Sequence, residues 1–202
     1  HIIAVSRASK QDLIDFWERE KIAKCPKVSV IHLGLPQQVR DSRAPESFSS
    51  LPRRLLMVGT LEARKNHLAL LEACESLWQQ GLTFELELAG MDNRETGKAA
   101  VRKLRSLQRT EYPITWHGPV SDDVLSQLYQ RADLALYPSL YEGFGLPVYE
   151  ALAHSIPVLT SNNSALKEAA QGGGCHLCEP SKDGIQESLY SLLSDTHLYT
   201  RL

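Results

Sequence analysis

Strands alternating with helices along most of the chain predict an α/β protein built on a doubly wound parallel sheet. Two observations carry that expectation. Short apolar runs recur, among them Leu55-Leu56-Met57-Val58 and Ile156-Pro157-Val158-Leu159; such continuous hydrophobicity suits strands covered on both faces. Amphipathic stretches of helical length stand between the runs. Ligands of such sheets bind beyond the carboxyl ends of strands, near helix N-termini. Gly59, Gly90, Gly118, Glu142 and Ser161 all follow strand-like segments and are therefore the informative positions.

Taken in order, residues 1–5 and 28–33 read as strands around a helix from Ser9 to Glu20, with Ser9 as its cap and Leu13, Phe16 and Trp17 on one face. This is a single β-α-β unit, and its first strand reads as already under way, as in a piece of something longer. A polar stretch rich in Ser, Arg, Gln and Pro follows, with linker character over 37–50. A second block starts near Leu51. Leu55 to Gly59 is a strand, and His67 to Gln80 a helix with Leu68, Leu71 and Trp78 on one side, ended by Gly81. Phe84 to Ala89 is a strand whose Glu85 and Glu87 suggest one partly wet face. Gly97 to Arg109 is a basic helix with a solvated face, and Ile114 to Gly118 a strand. Ser121 to Arg131 is a helix whose opening Ser121, Asp122 and Asp123 suit its positive end. Strand 133–137, helix 146–153, strand Ile156–Thr160, a short helix near Ser164–Ala170 and a last helix from Lys182 complete the series.

Composition narrows the function. Apolar residues make up 43% and charged residues 23% of 202, as in globular proteins, and a net charge of −2 without a basic stripe argues against nucleic acid as the main partner. No run approaches the roughly 20 apolar residues of a membrane span, and no secretory leader is recognisable. Cys25, Cys74, Cys175 and Cys178 fit reduced thiols of a cytoplasmic protein. Cys175-His176-Leu177-Cys178 has metal or redox spacing, but no second ligand pair completes a zinc site.

The densest chemistry lies in Glu142-Gly143-Phe144-Gly145-Leu146-Pro147-Val148-Tyr149-Glu150, at a strand-to-helix turn. Free N–H groups and the positive helix end there can receive a phosphate. Helical side chains lean towards the N-terminus, so Glu150 can face the same ligand as Glu142. An earlier loop, Gly59-Thr60-Leu61-Glu62-Ala63-Arg64-Lys65-Asn66, brings two cations to a helix entrance, where a diphosphate can be held by charge-assisted hydrogen bonds. Neither a Walker loop nor the Gly-x-Gly-x-x-Gly fingerprint is present.

Together these two segments, continued by Thr160-Ser161-Asn162 and Glu168, resemble the family 4 (group 1) retaining glycosyltransferases. That resemblance implies the GT-B fold, two Rossmann-like domains across a cleft, with residues 51–202 as the C-terminal, nucleotide-sugar-binding half. Residues 1–36 would be the last β-α-β unit of the acceptor domain, whose remainder is missing. By resemblance Glu142 is the catalytic residue at the donor sugar. Arg64 and Lys65 neutralise the diphosphate, and Gly59 lets the backbone approach the donor closely. The amides of Gly143, Phe144 and Gly145, with Leu146, meet sugar and phosphate, and Glu150 holds the ribose hydroxyls. Gly118 and Val120 lie along the base. The Glu-x-Arg-Lys-Asn loop resembles bacterial mannosyltransferases, so GDP-mannose is the first donor expected and a UDP-sugar the second. The acceptor would be a glycan or glycolipid, and peripheral membrane association of the whole protein stays open. No Asp-x-Asp pair occurs, so donor binding is expected to need neither metal nor cofactor. The chain alone is expected to bind donor but transfer sugar poorly. A non-catalytic nucleotide-binding module is the alternative.

Overall fold

A computed structural model describes residues 1–34 and 53–202; the linker assigned to 37–50 lies outside the described residues. Two parallel strands, β1 (Ile2–Ala4) and β2 (Val28–Val30), flank helix α1 (Arg7–Arg19) as the expected β-α-β unit. Strands β3 (Arg53–Val58), β4 (Phe84–Ala89), β5 (Ile114–Trp116), β6 (Leu134–Tyr137), β7 (Val158–Ser161) and β8 (Cys175–Cys178) form one parallel sheet in the order β5-β4-β3-β6-β7-β8. Strand order reverses between β3 and β6. There the pairing covers only Leu55 with Leu134 and Leu56 with Ala135, whereas β3 follows β4 to Val58 opposite Ala89. The sheet therefore parts at the carboxyl ends of β3 and β6, where a doubly wound fold places its ligand crevice.

Alternation along β3 assigns the layers. Leu55 and Met57 enter a core with α2 (His67–Gln79), α3 (Lys98–Arg109), α7 (Lys182–Ser194) and α8 (Thr196–Thr200). Leu56 enters a second core with α4 (Asp122–Arg131), α5 (Leu146–Ala153) and α6 (Ser164–Ala169). Burial on both faces explains why these strands read as unbroken apolar runs. Trp78 stacks between Phe84 and Tyr112, at 5.0 and 5.1 Å, and donates its indole N–H to the Phe84 carbonyl at 3.1 Å.

Several expectations change. Ser6, not Ser9, caps α1, accepting from the Ser9 N–H at 3.0 Å, and Phe16 is exposed. Leu68 points outward, because the buried row of α2 runs through Leu70, Leu71, Cys74 and Leu77. Glu87 is buried rather than wet: His117 Nε2 lies 2.8 Å and Arg131 Nη2 2.5 Å from its carboxylate. Cys175–Cys178 forms the edge strand β8, and its cysteines are free thiols. Burial pushes Cys178 up to about 12 and Cys175 up to about 11, which opposes thiolate chemistry.

Gly90 fixes how closely the loops after β3 and β4 approach. Its φ is +147°, and an added Cβ would lie 2.1 Å from the Gly59 carbonyl oxygen, backbone against backbone. Gly90→Ala is therefore expected to destabilise the chain by about 2–3 kcal/mol, a typical cost of forced overpacking. Denaturant unfolding measures it, and a change below about 0.5 kcal/mol would contradict the close approach.

Candidate donor-binding crevice

The site is assembled by the loops after β3 and β6. In the first, Asn66 takes a left-handed conformation (φ +63°) between a short 3₁₀ turn, Ala63–Lys65, and α2. Its side-chain amide donates to the carbonyls of Pro138 (3.0 Å) and Pro180 (2.9 Å), tying three loops together. The Leu140 N–H donates to the Arg64 carbonyl at 2.8 Å, so the two loops run in contact.

Charge meets at that contact. Lys65 Nζ donates to Glu142 Oε1 at 2.6 Å, and Arg64 Nη1 to Glu142 Oε2 at 2.7 Å. Arg64 also reaches the Tyr141 carbonyl (3.1 Å) and Glu62 (2.7 Å). Glu142 and Lys65 are largely enclosed, whereas the Arg64 side chain is 44% exposed. Burial would raise the pKa of Glu142, but the hydrogen bond and charge of Lys65, followed by Arg64, hold it below its ordinary value. Gly59 lies under the Lys65 stem, 3.7 Å from Cε to a built Cβ.

The turn that follows presents backbone donors. Gly145, in the left-handed region at φ +87°, starts α5, and a Cβ there would lie 2.9 Å from Leu166. Among the described residues the N–H groups of Gly143, Phe144 and Gly145 donate to no protein group. They stand at the start of α5, an arrangement able to bind an anion. The carbonyl side of the turn is anchored instead: Gly143 O accepts from Ser6 Oγ (2.7 Å) and Ser9 Oγ (2.8 Å). Phe144 stacks on Tyr149 at 4.9 Å, and Leu146 is partly open to solvent.

Glu150 stands on α5, half-buried, and accepts from Tyr129 Oη at 3.2 Å; Tyr137 Oη lies 3.2 Å behind. Among the described residues the two glutamates share no partner: Glu142 faces the β3 loop and Glu150 faces α4. Gly118 follows β5 at φ +67°, and its carbonyl accepts from the Gly90 N–H at 2.8 Å. Val120 turns its side chain against the core of α4 and α5, leaving its backbone as the part able to meet a ligand.

Sequence reasoning missed the supports. Ser164 Oγ accepts from the Glu142 N–H (3.1 Å), and Asn163 donates to the Ser139 and Leu140 carbonyls (3.3 and 3.0 Å). Their signal was the polar Ser161-Asn162-Asn163-Ser164 run after a strand. Glu168 is a cross-unit cap: its carboxylate accepts from the Arg7 and Ala8 N–H groups (2.8 and 3.3 Å) and pairs with His32 (2.9 Å). These contacts bind the first β-α-β unit to α6, as the Ser6 and Ser9 hydroxyls bind it to the glutamate turn.

His67, beneath the Arg64–Lys65 loop, is buried, and burial followed by the Lys65 charge pushes its pKa down to about 3. The folded state thus refuses a proton that an unfolded histidine takes near pH 6.5. The stability due to the neutral ring is present above that value and is lost as pH falls towards 3, at about 1.4 kcal/mol per pH unit. Moving from pH 7 to 5 is expected to remove about 2 kcal/mol through His67, a loss that His67→Leu abolishes. Denaturant unfolding at both pH values checks it; an equal loss in the variant would contradict it.

Comparison with known proteins agrees with the architecture. Residues 38–202 match the family model described as Glycosyl transferases group 1. The chain is 33% identical over 152 residues to the serotype-specific mannosyltransferase WbdA of Escherichia coli, covering 71% of this chain and 18% of that protein. It is 34% identical over 141 residues to the O-antigen chain mannosyltransferase B of Escherichia coli, covering 69% and 36%. The chain thus spans well under half the length of these relatives. A sucrose-phosphate synthase structure from Thermosynechococcus elongatus superposes with a TM-score of 0.74 at 22% identity, over 96% of this chain and 49% of that one. With a doubly wound sheet, the matched family model and these relatives in agreement, the chain belongs to the group 1 glycosyltransferases and carries a Rossmann-like half of the GT-B fold.

Proposed function

We propose that the chain is the donor-binding part of a retaining hexosyltransferase, which moves mannose from GDP-mannose to a glycan or lipid-linked acceptor. One observation carries the reading: Glu142, enclosed with Lys65 and also held by the more exposed Arg64, stands at the β3–β6 opening beside the free N–H groups of the following turn. As the bond from the anomeric carbon to the diphosphate breaks, its electron pair goes to the leaving oxygen. Lys65, Arg64 and the amides of Gly143, Phe144 and Gly145 meet that negative charge; fixed donors help most where charge develops. Glu142 faces the positive charge growing on the sugar. Glu150 accepts from the ribose hydroxyls, with Tyr129 setting its rotamer, and Gly59, Gly118 and Val120 border the nucleotide. Lys65 and Arg64 take the place of a metal on the diphosphate. Mannose is the sugar that the names of the two E. coli relatives support.

The test uses the whole protein, presented with GDP-mannose and with UDP-hexoses beside a lipid-linked or oligosaccharide acceptor; NMR reads the anomeric configuration of the product. The reading expects transfer from GDP-mannose with the donor's configuration kept. Inversion, or hydrolysis without transfer, would refute it. Tyr129→Phe keeps the 4.9 Å stack on His154 but removes the Glu150 contact. It is expected to raise the donor KM about three- to tenfold, the worth of one hydrogen bond, with kcat little changed. Steady-state kinetics checks that split.

A further inference from the structure

Helix α3 carries a row of cations outside the crevice. Lys98, Arg102, Arg105 and Arg109 follow one another at intervals that return to one side of a helix. Ala100, Leu104 and Leu107 are buried on the opposite side, and all four cations are exposed. Arg94 extends the row into the preceding loop, also exposed. Among the described residues none of these five cations has an ion-pair partner, whereas Lys103, off the row, holds Glu75 at 2.5 Å. Six cations and one acid, Glu95, lie between Arg94 and Arg109 in a chain of net charge −2. Arg94, Lys98, Arg102 and Arg105 also line an open groove of about 530 Å³, which a single carboxylate, Asp92, shares.

We propose that this face docks the protein on a bilayer surface of anionic phospholipids, with headgroup phosphates drawn to the row and its groove. The row is straight, spans roughly 16 Å of helix, and suits a flat array of negative charge. It carries no aromatic side chain on which a nucleobase could stack. Met91, 58% exposed beside the loop, offers an apolar contact at one end. No helix among the described residues is long and apolar enough to cross a membrane; the contact made by the row is one of surface charge. It is electrostatic and sensitive to salt.

Co-sedimentation of the chain with vesicles tests the proposal. Vesicles containing about one-third phosphatidylglycerol are expected to bind it at low salt and release it at high salt, while pure phosphatidylcholine does not bind. Combined Lys98→Gln, Arg102→Gln and Arg105→Gln changes are expected to weaken binding about a hundredfold, near fivefold per charge. The charge-matched Arg19→Gln, Lys24→Gln, Lys27→Gln control on the first unit is expected to bind as the unaltered chain does. Circular dichroism confirms that each variant is folded. No binding to anionic vesicles, an equal loss in the control, or retention on a soluble polyanion such as heparin without vesicle binding would each overturn it.

Discussion

Changing Glu142 to glutamine in the whole protein is expected to lower sugar transfer about a thousandfold while nucleoside diphosphate binding does not weaken. The size follows from the loss of one preorganised electrostatic contact to a developing charge in an enclosed site. Glutamine keeps the volume and one acceptor oxygen, so the turn and its Ser164 contact persist. What disappears is the negative charge, which Lys65 and Arg64 hold ionised against the cost of burial. Those two cations then lose their internal competitor and are freer to meet a diphosphate, so affinity holds or rises. Transfer kinetics and nucleotide titration check the two halves. A fall of less than tenfold, or a parallel loss of nucleotide affinity, would overturn the role proposed for Glu142 at the reacting centre.

The second large effect is expected at Lys65. Lys65→Met keeps the apolar stem over Gly59 but removes the ammonium, which is enclosed and 2.6 Å from Glu142. Breaking one side of a buried ion pair costs about 3–5 kcal/mol when nothing else compensates. Here Arg64 still holds the other carboxylate oxygen, so about 2 kcal/mol is expected from denaturant unfolding. The affinity for a nucleoside diphosphate falls with it, by about tenfold to a hundredfold, as for loss of one charge-assisted contact. Arg64→Ala is milder in stability because its side chain is 44% exposed and its ion pairs are solvent-screened. A Lys65→Met protein with unaltered stability would mean that the 2.6 Å pair adds nothing to the fold.

Much of this was legible in the sequence because the informative signals are local. The strand from Phe84 to Ala89 and the helix from Leu146 to Ala153 have the predicted limits, since hydrophobic run, proline and flanking glycines all act within a few residues. Arg64, Lys65 and Glu142 declared themselves as charges placed just after strands, and the fold brings those loops together at the point where strand order reverses. The shortfalls are non-local. Glu87 reads as a wet strand residue until His117 and Arg131, from β5's end and α4, arrive over it. Glu168 reads as a helix glutamate, and only the docking of α1 turns it into a cap. Strand β8 has four residues after a glycine run, too short for any period to show. The Glu142–Lys65–Arg64 pairing itself is a tertiary fact, since no spacing along the chain encodes which cation meets which carboxylate oxygen.

The crevice between β3 and β6 as a nucleoside-diphosphate site is the central claim, and calorimetric titration of the 202-residue chain with GDP, and with UDP and ADP as competitors, tests it most directly. The account predicts saturable one-site binding, with GDP preferred, weakened at least tenfold by Lys65→Met and by Glu150→Ala, each worth about one charged hydrogen bond. Absence of binding by all three nucleotides, or binding indifferent to both substitutions, would contradict it.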